Sequence, residues 1–145
     1  MKVNEVLLLG HVLFTTAGYV GLIAANAYVL FLSRSRDPHA IRLGLTAWRH
    51  CSQVFGPFLL IGVFFGFGLA SAMHVSLGGL WLVTTYILIV AAIAVQASVM
   101  VPWQLRSNPM LEAGIVPRMT PVVLVLILSC VFYTSILWLM LARPE

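Results

Sequence analysis

Charge is what this sequence has least of. Only 8% of its 145 residues are Asp, Glu, Lys or Arg, and four of those are acidic. A soluble domain with 61% hydrophobic residues could not cover its own surface with polar groups. The mean hydropathy of +1.05 is that of a chain dissolved in lipid, and at this length it forms one membrane domain. The net charge of +4 does not signal nucleic acid, because no soluble basic domain exists to carry such a site. In a membrane protein a basic excess reports cytoplasmic loops.

Cysteine is scarce as well. Cys51 opens one apolar segment and Cys130 lies in the middle of another. A disulfide needs Cα atoms within about 7 Å, and these two belong at different membrane depths. Both are expected as free thiols packing as small apolar groups. Catalytic signatures are missing too: there is no HExxH, no CxxC and no glycine-rich phosphate loop. Of the four acidic residues, Glu5, Asp37 and Glu112 fall at span boundaries or in links, and Glu145 lies beyond the fourth apolar run. None sits deep in a span, which removes the buried carboxylate relay of proton-coupled transport.

What the sequence does have is four apolar runs, over residues 6–32, 54–73, 80–101 and 121–142. Each reaches the roughly 20 residues that cross a hydrocarbon core of about 30 Å as a helix. Helix is required, since each backbone amide must find its partner within the lipid. The expected architecture is an all-α bundle of four transmembrane helices. Lys2 and the small residues around Asn26 resemble parts of a cleaved signal peptide. The first run exceeds the roughly 7–15 apolar residues of a signal core, so it reads as a true span.

Local chemistry marks the ends. Asp37 can cap a helix and Pro38 suits its first turn. Ile41, Leu45 and Trp48 then recur at helical spacing, which predicts a short amphipathic helix or an extension of the second span. Thr120 and Pro121 open the fourth span in the same way, and Pro102 is expected to break the third. Trp48, Trp81, Trp103 and Trp138 lie near span ends, where aromatic belts form. The links 33–53 and 104–120 carry Arg34, Arg36, Arg42, Arg49, Arg106 and Arg118, whereas the "HVSLGGL" turn carries no Lys or Arg. The positive-inside rule puts both links in the cytoplasm and both termini outside, in a bacterial inner membrane.

Small residues show which faces meet. Gly18, Gly21 and Ala25 form a stripe with Phe14 in span one, with His11 at its edge; Gly62, Gly66 and Ala70 form another in span two. Such stripes bring helix backbones close together. Polar residues sort by depth. His11, Thr15, Thr16, Thr84, Thr85, Tyr86 and His74 fall on the outer side, and Asn26, Gln53 and Gln96 on the inner side near Arg49 and His50. The inner three are at a depth where they can bond one another as interhelical glue. His11 and His74 are the candidate haem ligands, and Met73 with both histidines is a candidate copper set. His50 belongs to the opposite side, and His39 to a solvated link.

"HVLFTTAGYVGL" (residues 11–22) places a histidine at a span entry with Gly-Leu ten residues later. Together with "WLVTTYILIVAAIAVQASVMVPWQLR" in the third span, it resembles the small four-span membrane proteins grouped with CopD (copper resistance) and HemJ (protoporphyrinogen oxidase). The resemblance covers roughly residues 5 to 105 and rests on span pattern, one histidine and a few glycines. It implies haem b at His11, or copper at the outer face. Where HemJ-type proteins follow with Pro-Arg, this chain has Asn26 and Ala27, and Thr84 and Thr85 stand where they place a lysine. Those differences argue against porphyrin oxidation. The leading expectation is therefore a non-catalytic accessory subunit of a respiratory or other redox membrane complex, in contact with lipid and other membrane subunits. A haem protein using His11 is the alternative, and a copper-handling protein the third reading.

Overall fold

The computed structural model describes residues 3–74 and 78–142; Lys2 and the middle of the 74–80 turn lie outside them. Every regular element is helical. Helix α1 runs Val3–Ser33 and α2 runs Pro38–Ala72. Helix α3, Leu80–Val95, passes through a π turn at Gln96–Met100 into α4, Val101–Glu112, and α5 covers Thr120–Ala142. Helix α3, the π turn and α4 form one unbroken apolar rod, so four stretches are long and apolar enough to cross a membrane. The chain is an all-α integral membrane protein.

The helices overrun the apolar runs at the arginine-bearing end. Helix α2 has 35 residues, about 52 Å at 1.5 Å per residue, well beyond a hydrocarbon core of about 30 Å. Its start is fixed locally: Asp37 is extended, with φ −87° and ψ 116°, and its Oδ1 accepts from the His39 amide at 2.9 Å. Pro38 fills the first turn, where no amide partner is needed. The periodic segment at 41–48 is thus the first part of span two rather than a separate surface helix. Asp37→Ala is expected to cost about 1 kcal/mol of stability, read as a lower melting temperature, because the first-turn amide of His39 loses its acceptor.

Pro102 does not end the third span, contrary to expectation. A proline removes one amide donor and pushes its ring against the carbonyl four residues back. The five-residue π turn immediately before it widens the helix where that clash falls, and the chain stays helical to Glu112. The stop comes at Gly114, whose φ of +74° is the left-handed conformation that closes helices.

Helices α1 and α2 form an antiparallel hairpin with by far the most extensive contact in the molecule. A Cβ added at Gly18 would lie 3.0 Å from the Leu59 backbone nitrogen, and one at Gly62 would lie 2.8 Å from that of Thr15. Gly21 sits under the Phe55 ring and Gly66 under the His11 imidazole. Ala25 and Ala70 are buried. The two small-residue stripes are therefore spent on one seam. Phe14 lies beside it in a ring cluster with Phe58 and Phe65, with centroids 5.4 and 5.7 Å away.

Two cores lie along the bundle. Towards the arginine-bearing end, Val29, Ile41, Leu45, Trp48, Met100 and Val122 tie all the layers together. Further up, Tyr19, Leu59, Ile89 and Ile136 form a smaller cluster. Helix α5 packs on α1 and α3, whereas the backbones of α2 and α3 stay apart and the two helices meet through side chains such as Phe67 and Tyr86. That separation leaves a cleft between them.

Candidate functional site

His11 lies on the α1–α2 seam, half-buried, with Nδ1 2.7 Å from the Gly62 carbonyl oxygen. A carbonyl only accepts, so Nδ1 carries the proton and donates it. This geometry depends on the absent side chains at Gly62 and Gly66. A Cβ at Gly66 would come within 2.8 Å of the same Nδ1. Thr15, one turn on, bonds back to the His11 carbonyl at 2.6 Å. The imidazole thus takes a helix carbonyl of the neighbouring span as partner, and its Nε2 is the nitrogen left for another role.

The other outer residues are not gathered around it. His74 closes α2 in the left-handed conformation, with φ 55° and its amide on the Ser71 carbonyl at 3.1 Å. His74 is exposed, as is Met73 at 46%. His11 packs at Gly66, and eight further residues of rise put His74 about 12 Å along the axis. The candidate haem pair and the copper set His11, Met73 and His74 are therefore not assembled within this chain. Among the described residues no three His, Cys, Asp or Glu side chains come together. Thr84 and Thr85 each bond a carbonyl four residues back, at 2.7 and 2.9 Å. Tyr86 stacks on Phe67 at 4.7 Å. Cys51 and Cys130 are free thiols.

On the inner side Asn26 is the hub. It is wholly buried. Its Oδ1 accepts from the Trp48 indole at 2.9 Å, and its Nδ2 donates to Gln96 Oε1 at 3.4 Å. Three helical segments are joined through one amide. Gln53 is absent from this cluster: it is exposed and lines a polar groove with Arg42, Arg49, His50, Gln104 and Glu112. Trp48 takes the place expected of Gln53. The reading of Trp48 as a belt residue is corrected by its 4% exposure and its bond to Asn26. Because α2 starts at Pro38, Trp48 falls inside the bundle rather than at a span end. Trp138, at 71% exposure, and Trp103, whose indole donates to the Arg118 carbonyl at 2.9 Å, remain peripheral.

The polar groove carries an ion pair, Arg42–Glu112 at 3.7 Å. Both side chains are over 60% exposed. Such pairs contribute about 0–1 kcal/mol and are screened by salt. Glu112→Gln is expected to shift stability by less than about 0.5 kcal/mol at low salt, and at high salt the melting curves of the variant and the parent protein should coincide.

The cleft between α2 and α3 has a volume of about 360 Å³. Tyr19 and Leu22 form its floor, Ser52 and Gly56 one wall, and Gln96 and Ala97 the other. Among the described residues no charged side chain lines it. Sequence reasoning missed this feature, although the unusual run of Gly56 before Pro57 was visible within span two. No family model, characterised protein or solved structure matches the chain.

Proposed function

We propose that this protein is a non-catalytic accessory subunit of a larger membrane assembly, of the respiratory or another redox type. It would sit in a bacterial inner membrane with the links 33–53 and 104–120 in the cytoplasm and both termini outside. The observation that supports this is how the polar side chains at helix contacts are used. His11 bonds the Gly62 carbonyl, Trp48 bonds Asn26, and Asn26 bonds Gln96. These are bonds that hold helices in register. The overrunning ends of α2 and α4 add a polar groove at the arginine-bearing end, where a partner can dock. Extraction of the natural complex in mild detergent, followed by native electrophoresis and a subunit inventory, tests it. The protein should migrate with larger partners; a lone monomer overturns the reading.

A second reading has its own observation. An Nδ1–H bond to a backbone carbonyl is the arrangement metal-bound histidines adopt, since it fixes the tautomer and frees Nε2. His11 Nε2 could supply one axial ligand to a b-type haem, the second coming from another subunit. A Soret band in the purified complex, lost in His11→Ala, supports this. A complex without visible absorbance excludes it.

A further inference from the structure

We propose that the α2–α3 cleft binds a neutral, membrane-dissolved molecule whose head carries carbonyl oxygens, such as a quinone-type ring on an apolar tail. The argument begins with three buried polar atoms. Tyr19 Oη, Ser52 Oγ and Gln96 Nε2 have no hydrogen-bond partner among the described residues, and all three residues line this one cavity. Tyr19 is 5% exposed. Gln96 Oε1 already accepts from Asn26, so the unspent end of that amide is its donor end. Each unpaired buried donor costs about 1–3 kcal/mol, and native proteins keep few of them. Three such atoms belong to residues that line a single cavity, where side-chain rotation would bring them to the acceptors of a ligand.

Shape and access agree. The volume of about 360 Å³ falls in the small-molecule range of roughly 300–1,000 Å³. The rest of the lining is almost wholly apolar, and among the described residues no cation or carboxylate is present to recognise a charged head. The mouth lies where the backbones of α2 and α3 stand apart, beside Leu60, Ile93 and Val101, which are 53%, 40% and 46% exposed. These side chains belong to the membrane-crossing stretches, so the entrance faces lipid rather than water.

Two local features keep the cavity open. Gly56 is unlike the seam glycines: a Cβ there would meet nothing within 4 Å. Neither helix packing nor backbone conformation demands a glycine at that point, and a larger side chain would fill the cleft. On the facing wall the π turn starts at Gln96, and π turns reset the direction of side chains at binding sites.

The test uses the full-length protein in phosphatidylcholine vesicles, with decyl-benzoquinone as probe and decylbenzene as the acceptor-free control. The quinone should raise the melting temperature saturably, and decylbenzene at equal membrane concentration should not. Ser52→Ala combined with Gln96→Leu should weaken the quinone response at least tenfold. Gly56→Phe should abolish it by filling the cavity, and Ala97→Phe does so from the opposite wall should the first variant fail to fold. Native mass spectrometry of the protein before reconstitution addresses the other source of the same chemistry, the ester carbonyl of a glycerolipid. A co-purified glycerolipid that both filling variants lose supports the site with that occupant. Equal shifts from quinone and decylbenzene, or a quinone response retained in both filling variants, overturns the proposal. So does the absence of any ligand in both experiments.

Discussion

Gly62→Ala is expected to lower the stability of the protein by about 1–2 kcal/mol, and Gly62→Leu by about 3 kcal/mol, whereas Gly56→Ala leaves it unchanged or raises it by about 0.5–1 kcal/mol. All three substitutions exchange a helical glycine in the same α2, so intrinsic propensity favours each new residue by up to about 1 kcal/mol. What separates them is the far side of the helix. At Gly62 the first added carbon lies 2.5 Å from Thr15 Cγ2 and 2.8 Å from the Thr15 backbone nitrogen. The methyl can rotate away and the backbone cannot, so α1 must move out. Retreat of α1 also lengthens the bond of 2.7 Å from His11 to the Gly62 carbonyl. At Gly56 the added carbon points into open space. Unfolding of the variants in mixed micelles by SDS titration, followed by helical circular dichroism, reads the difference. Equal losses at the two glycines would mean that the seam is no tighter than the cleft.

The same contrast shows what hydropathy and spacing disclose and what they conceal. Four spans are legible because lipid forces a long unbroken apolar run for each crossing, and the observed helices cover all four but for Met73, which caps α2. Helix ends are harder to read, because polar residues can continue a helix beyond the lipid. The start of α2 was visible in Asp37 and Pro38, which act through neighbours in sequence. The passage of the third span through Pro102 was not, since the π turn that relieves the clash has no sequence signature. Asn26 and Gln96 could be paired by depth alone. Depth says nothing of azimuth, which is why Gln53 was grouped with them. It stands about 140° around α2 from Trp48, at about 100° per residue, and faces the polar groove. The cleft was concealed for a related reason: a cavity arises where two helix backbones stand apart, and sequence patterns report contacts.

Asn26→Leu should be the most damaging substitution outside the seam, at about 2 kcal/mol. Leucine keeps the same four side-chain heavy atoms in the same branched outline, although its methyls are bulkier, so packing is the smaller part of the effect. The loss comes from the partners. The Trp48 indole N–H would stay buried at 4% exposure with no acceptor, and Gln96 Oε1 would lose its donor. An unpaired buried donor costs about 1–3 kcal/mol in a protein interior. In membrane bundles the average interhelical hydrogen bond is worth only about 0.6 kcal/mol, because the separated helices also find partners. The site leans towards the upper figure because Asn26 is wholly buried and serves two helices at once. A double-mutant cycle with Trp48→Phe isolates the bond of 2.9 Å, and a second cycle with Gln96→Leu isolates that of 3.4 Å. Coupling of about 1 kcal/mol is expected in the first cycle and no more than half of that in the second, since hydrogen bonds weaken as they lengthen past about 3.2 Å. Coupling near zero in both would reduce Asn26 to a space-filling residue and take away the main polar tie between α1, α2 and the π turn.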